Sequence, residues 1–229
     1  MRFDIVTLFP EMIEEACSHS IIARAVDEKL IGINTINPRD YTLSKHKKVD
    51  DTPYGGGSGM VLMCQPFMDA VSAIEKLDNS ETIILTPQGE RFDNKMAKEF
   101  SQKNQLIMIC GHYEGFDERI RQLSGAREVS IGDFVLTGGE LPALCILDST
   151  IRYLGGVLGN LESADYDSFE DGLLEYPQYT KPREYGGLRV PDVLLNGNHA
   201  EIDAWRREQQ ILKTKKSRPD LWRSYNKNS

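Results

Sequence analysis

Residues able to bind a ligand through main-chain atoms fall in three stretches of the same build. The longest, Ser130-Ile131-Gly132-Asp133-Phe134-Val135-Leu136-Thr137-Gly138-Gly139-Glu140-Leu141-Pro142, runs an extended apolar segment into a Gly-Gly pair and then a proline suited to a helix first turn. Paired glycines allow positive φ and let backbone approach a ligand closely. Ile83-Ile84-Leu85-Thr86-Pro87-Gln88-Gly89 and Leu106-Ile107-Met108-Ile109-Cys110-Gly111-His112-Tyr113-Glu114-Gly115 repeat the grammar: a β run ends in a loop bearing Gly or Pro. One such loop is an ordinary strand-to-helix turn. Three, gathered at the carboxyl edge of one parallel sheet, make a binding site.

The elements that must carry these loops alternate. Phe3 to Leu8 reads as a first strand ended by Pro10, Met12 to Val26 has helical spacing, and Ile31 to Ile36 is a second strand. Helical spacing resumes at Pro66 to Leu77. A strand at Ile83 to Leu85, a polar helix at Asn94 to Ser101, a strand at Leu106 to Cys110, a helix at Phe116 to Leu123, an extended run at Val129 to Leu136 and an apolar helix at Leu141 to Leu154 follow. The fold class is therefore α/β, a parallel sheet covered on both faces. After Gly159 the texture turns acidic and then Pro- and Gly-broken, so a flexible acidic linker is expected over 160–175, dividing a domain at 1–159 from a small helical, basic domain at 176–229.

The 229 residues suit one sizeable core plus a smaller unit, and no run approaches the length needed to cross a bilayer. The start of the chain enters a strand directly, so a cytoplasmic protein is expected. Cys17, Cys64, Cys110 and Cys145 lie far apart, as do the four histidines, which argues for reduced thiols and no structural metal. Net charge is −8, yet Trp205 to Ser229 holds eight Lys and Arg against two acidic residues, net +6, leaving −14 on the rest. Such an end could anchor phosphates or simply be a solvated helix face. Arg39 to Gly59 mixes Lys45-His46-Lys47-Lys48 with Val49-Asp50-Asp51-Thr52-Pro53-Tyr54-Gly55-Gly56-Gly57-Ser58-Gly59. It fits neither nucleotide fingerprint, and reads as a functional loop or a linker.

Taken together, the stretch from Ser130 to Pro142, Cys110-Gly111-His112-Tyr113-Glu114-Gly115-Phe116-Asp117-Glu118-Arg119, Val49 to Gly57 and Gly197-Asn198-His199-Ala200-Glu201-Ile202 closely resemble the bacterial TrmD family of tRNA (guanine-N1)-methyltransferases. The resemblance runs from the first strand nearly to the carboxyl end. It implies a SPOUT-type α/β domain with a deep trefoil knot, an exception to the rule against threaded chains. It also implies a homodimer with its active site at the subunit interface, S-adenosyl-L-methionine as methyl donor, and tRNA as partner, methylated on the guanosine just 3′ to the anticodon.

Carried over by position, the donor site comprises Leu85, Thr86, Pro87, Gly111, His112, Tyr113, Glu114, Gly115, Ile131, Gly132, Asp133, Phe134, Val135, Leu136, Gly138, Gly139 and Pro142. Asp167 matches the family's base and Arg152 its stabilising arginine, while Asp165, Asp171 and Glu175 compete with Asp167. Glu114 could contact the donor or help place a divalent ion. His112 stands where many relatives have arginine, and Ser58 replaces a frequent proline. A nucleotide-sensing RNA-binding protein without catalysis is the rival from another class; a linker carrying Asp167, with Arg152, disfavours it.

Overall fold

The computed structural model describes residues 1–159 and 167–228. The chain divides into two compact units, Met1–Gly159 and Asn160–Ser229.

In the first unit, β1 (Arg2–Val6), α1 (Pro10–Cys17), α2 (Ser20–Asp27) and β2 (Gly32–Ile36) open the chain. The minimal strands β3 (Asp50–Asp51) and β4 (Val61–Leu62) follow, then α3 (Cys64–Ser72), β5 (Ser80–Arg91), α4 (Asn94–Ser101), β6 (Gln105–Ile109), α5 (Glu118–Ser124), β7 (Arg127–Ser130) and α6 (Glu140–Ile151). The main sheet has the order β2-β1-β6-β5-β7, and every pairing in it is parallel.

Strand alternation divides the core between two faces. Phe3, Ile5, Leu106 and Met108 pack with Ile13, Phe100, Ile146 and Leu147 of α1, α4 and α6, while Val6, Ile84 and Ile109 pack with Phe67, Val71 and Ile120 of α3 and α5. The buried Asp4 is held by Arg2, by Asn34 at 3.0 Å and by Gln105 at 2.6 Å. A carboxyl group inside a sheet is tolerated because each of its oxygens finds a donor.

Three expectations are corrected. The helical spacing from Met12 to Val26 belongs to two helices, because the chain breaks at Ser18–His19 and Ser20 takes φ +57°. The run from Val129 to Leu136 is a strand only to Ser130; the apolar residues beyond it are loop. The stretch from Arg39 to Gly59 is not open chain throughout: β3 and β4 pair antiparallel, and Met63 N–H donates to the Val49 carbonyl at 2.8 Å.

The second unit holds the short antiparallel pair β8 (Glu184–Tyr185) and β9 (Leu188–Arg189), then α7 (His199–Ser217) and α8 (Pro219–Asn228). On α7 the buried positions are Ile202, Gln210 and Thr214, whereas Leu212 is half exposed. Two of these three are polar and form a seam in which Leu174 N–H donates to Thr214 Oγ1 at 2.8 Å. Several cations of this unit lie over rings: Arg206 is 5.0 Å from Tyr176 and Lys215 is 4.4 Å from Trp222. Arg218 holds the Asp220 carboxyl down at about 2 through their hydrogen bond and charge.

Candidate active site

All three loops leave the carboxyl ends of neighbouring strands. In β5 the pairing with β7 reaches Leu85 opposite Val129, and Glu90 resumes opposite the same Val129. Residues 86–89 therefore bulge outward, presenting Thr86 and Pro87. Gly89 closes the bulge, and a Cβ there would strike the main chain of Glu128 and Val129. After β6, Gly115 N–H donates to the His112 carbonyl at 3.1 Å, a turn that puts Tyr113 at φ +58°. After β7, Ser130 Oγ accepts from Gly132 N–H at 3.2 Å, and Phe134 N–H donates to the Gly132 carbonyl at 2.9 Å.

The second and third loops are joined. Gly139 N–H donates to the Gly111 carbonyl at 2.9 Å, and His112 bridges Gly138 in antiparallel fashion. The expected positive φ at the Gly-Gly pair is absent: Gly139 sits at φ −87° and Gly138 is also outside that region. What the pair supplies is close approach. A Cβ on Gly139 would lie 2.6 Å from Cys110 Cα and 2.8 Å from the Gly111 nitrogen.

Together the loops enclose a cavity of about 380 Å³, within the size range of small-molecule sites. Every expected donor-site residue lines it except Asp133. Gln88, Phe116, Arg121, Val129, Ser130 and Thr137 also line it and were not expected. Gln88, Ser130 and Thr137 lie inside the stretches already singled out, so a stricter reading of loop continuity would have found them. Phe116 directly follows the second loop, whereas Arg121 arrives from α5, where spacing predicts the helix but not which side chain reaches the cavity. At the rim, Val135 is 82% and Phe134 54% exposed, apolar area of the kind a ligand covers.

Polar side chains brace the walls. Glu140, at the start of α6, is 1% exposed; it accepts from Thr7 Oγ1 at 2.5 Å and pairs with His112 Nε2 at 2.7 Å. The Phe9 ring lies 4.8 Å from the imidazole. The β4 segment is stitched to the second loop, because Glu114 N–H donates to the Met60 carbonyl and Leu62 N–H to the Gly115 carbonyl. That places the end of the glycine-rich stretch beside the cavity, and Gly59, at φ +87°, leaves the space taken by the Glu114 carboxylate.

Burial, then the nearby Glu140 charge, pushes the Cys110 thiol well above its ordinary value. A thiol held protonated and out of solvent is a poor nucleophile. In native protein treated with iodoacetamide, Cys110 is expected to stay unmodified by mass spectrometry and to alkylate readily once the chain is unfolded.

Of the expected residues in the first unit, Arg152, like Asp133, is not on the cavity wall. Arg152 ends α6, at the other end from Gly139; twelve helical residues at 1.5 Å each separate them by about 18 Å. Asp167 belongs to the second unit, beside a tight turn in which Phe169 N–H donates to the Leu173 carbonyl at 2.7 Å. Of its competitors, Asp171 is paired with Arg207 and Glu175 accepts from Gln178, while Asp165 lies outside the described residues. Among the described residues no three His, Cys, Asp or Glu side chains gather as metal ligands, and no helix is long and apolar enough to cross a membrane.

A parallel sheet whose loops at the carboxyl edge surround a small cavity defines an α/β protein with its cavity where this class places ligand sites. Comparison with known proteins makes this specific: residues 1–224 match the family described as tRNA (Guanine-1)-methyltransferase TrmD, and the chain belongs to that family. The tRNA (guanine-N(1)-)-methyltransferase of Staphylococcus carnosus strain TM300 is 52% identical over 225 residues, covering 98% of this chain and 92% of the relative. The proteins of the same name from Staphylococcus epidermidis and Staphylococcus haemolyticus are 52% and 51% identical over the same shares.

Proposed function

We propose that the protein is a tRNA (guanine-N1)-methyltransferase that uses S-adenosyl-L-methionine and modifies the guanosine just 3′ to the anticodon. The observation that carries this reading is the cavity at the sheet's carboxyl edge, made by the same three loops singled out in the sequence. Its volume suits an adenosine-sized group, and the loop residues that line it bring main-chain N–H and C=O groups of the kind that read an adenine edge. Bound there, the sulfonium supplies an electrophilic methyl.

The rest is work for protein side chains. Guanine N1 is a poor nucleophile while it carries its proton, so a carboxylate must take that proton as the new N–C bond forms; Asp167 has this role. Charge left by deprotonation spreads onto O6, where the Arg152 guanidinium stabilises it. The 18 Å along α6 supports a division of labour between subunits, in which Arg152 and Asp167 of one chain serve the partner's cavity. Leu141 and Cys145, one turn apart on the exposed side of α6, and the partly exposed Met12, Ile21 and Val26 of α1 and α2 suit a homodimer contact.

The knot belongs to the same proposal, supported by the tight seating of Gly139 against Cys110 and Gly111. So does a cytoplasmic location, where tRNA is modified. Phosphates would be gripped by the basic second unit and by Lys45 to Lys48. Arg24, a further candidate, has Nη2 on the Val157 carbonyl at 2.7 Å.

The test is incubation with methyl-labelled S-adenosylmethionine and tRNA transcripts. Label is expected as N1-methylguanosine in transcripts with guanosine after the anticodon, and is lost when that guanosine is replaced. Label in ribosomal RNA instead would assign another target, and tRNA retention with no label would leave an RNA-binding protein without catalysis.

A further inference from the structure

We propose that Glu140 and His112 form a positioning pair for the methyl donor, holding two walls of the cavity at their working separation before the donor arrives. The proposal rests on reading the cavity as the donor site. His112 lies on the second loop and lines the cavity; Glu140 stands directly behind Gly138 and Gly139 of the third. Their 2.7 Å contact ties one wall to the other, alongside the main-chain bond from Gly139 to Gly111.

The surroundings are arranged for this contact. A carboxylate 1% exposed cannot rely on water, so its partners decide whether it is tolerable there. Thr7 Oγ1 donates to one oxygen and His112 meets the other, so both oxygens are engaged. The helix start places the charge at the favourable end of α6. Phe9 limits the swing of the imidazole, and the absence of a Cβ on Gly138 makes room for the pair, since an added carbon would strike both His112 and Glu140. Donors that read a ligand by main chain must be placed to within about 0.5 Å. A buried strut between the two backbones meets that need.

The test separates positioning from simple scaffolding by comparing two substrates. With full-length protein, S-adenosylhomocysteine binding is measured by calorimetry, and steady-state rates are measured against S-adenosylmethionine and tRNA. His112→Leu orphans a buried carboxylate and is expected to weaken S-adenosylhomocysteine binding and raise the S-adenosylmethionine KM by about tenfold. The tRNA KM and kcat at saturating donor should stay within about twofold. Adding Glu140→Gln to His112→Leu is expected to restore much of the affinity, because a carboxamide there carries no stranded charge. His112→Gln, which keeps an N–H donor at similar reach, should hold affinity within about threefold of the parent.

Equal rises in both KM values, no change in any variant, or a double variant worse than His112→Leu would overturn the pair's role while leaving the cavity as donor site. A parent protein that binds no S-adenosylhomocysteine would overturn the donor-site reading and this inference with it.

Discussion

Asp167→Asn is expected to lower methyl transfer by roughly a hundred- to ten-thousand-fold, the usual contribution of a positioned general base. The amide keeps the size and much of the hydrogen bonding of the carboxylate but cannot accept the N1 proton. Affinity for S-adenosylhomocysteine should therefore be unchanged, because the carboxylate's part is to take the N1 proton rather than to hold the donor. Single-turnover rates under saturating tRNA and donor, with calorimetry on the same preparation, check both halves. Turnover close to the parent's would remove Asp167 from the chemistry and return attention to its neighbours.

Gly139→Ala should instead act on the pocket. The added carbon meets the backbone of Cys110 and Gly111, and backbone cannot rotate away as a side-chain tip could. Overpacking of this sort costs about 1–3 kcal/mol; taken at the cavity, it weakens donor binding roughly five- to hundred-fold. Gly155→Ala is the control, since nothing lies within 4 Å of the added carbon and no left-handed backbone is involved. It should bind donor like the parent.

The two variants together test which subunit the base serves. At donor concentrations well below the parent's saturation each alone is expected to be impaired, one for want of a base and the other because its cavity is largely empty. If Asp167 acts on the partner's cavity, co-expressed mixed dimers contain one complete site and regain activity. If it acts on its own cavity, no mixed dimer is complete and activity stays low.

Much of the site was legible because its residues are contiguous. The loops after Leu85, Cys110 and Ser130 announce themselves as apolar runs ending in glycine, and a parallel sheet brings strand ends to one edge whatever the intervening helices do. The Gly-Gly pair was read as giving both positive φ and close approach, because a sequence shows that Cβ is missing but not whether dihedral freedom or space is what the fold needs. Here it is space, fixed by Cys110 and Gly111 some thirty residues upstream. Arg121 escaped notice because a helix residue reaches a cavity through tertiary packing, which leaves no periodic trace. The pairing of Glu140 with Thr7 was equally invisible, since it joins residues 133 apart. In turn, Arg152 and Asp167 stand out only by family resemblance, as an arginine at a helix end and an aspartate in a polar stretch carry no signal of their own.

The clasping of the methyl donor by main-chain atoms of three loops is the claim on which the mechanism depends. Diffraction from crystals soaked in S-adenosylhomocysteine addresses it most directly. Density for the adenosine is expected inside the cavity, within hydrogen-bond reach of backbone groups from Leu85 to Pro87, Gly111 to Gly115 and Ile131 to Gly139. Density at any other place on the chain, with this cavity empty, would contradict the account.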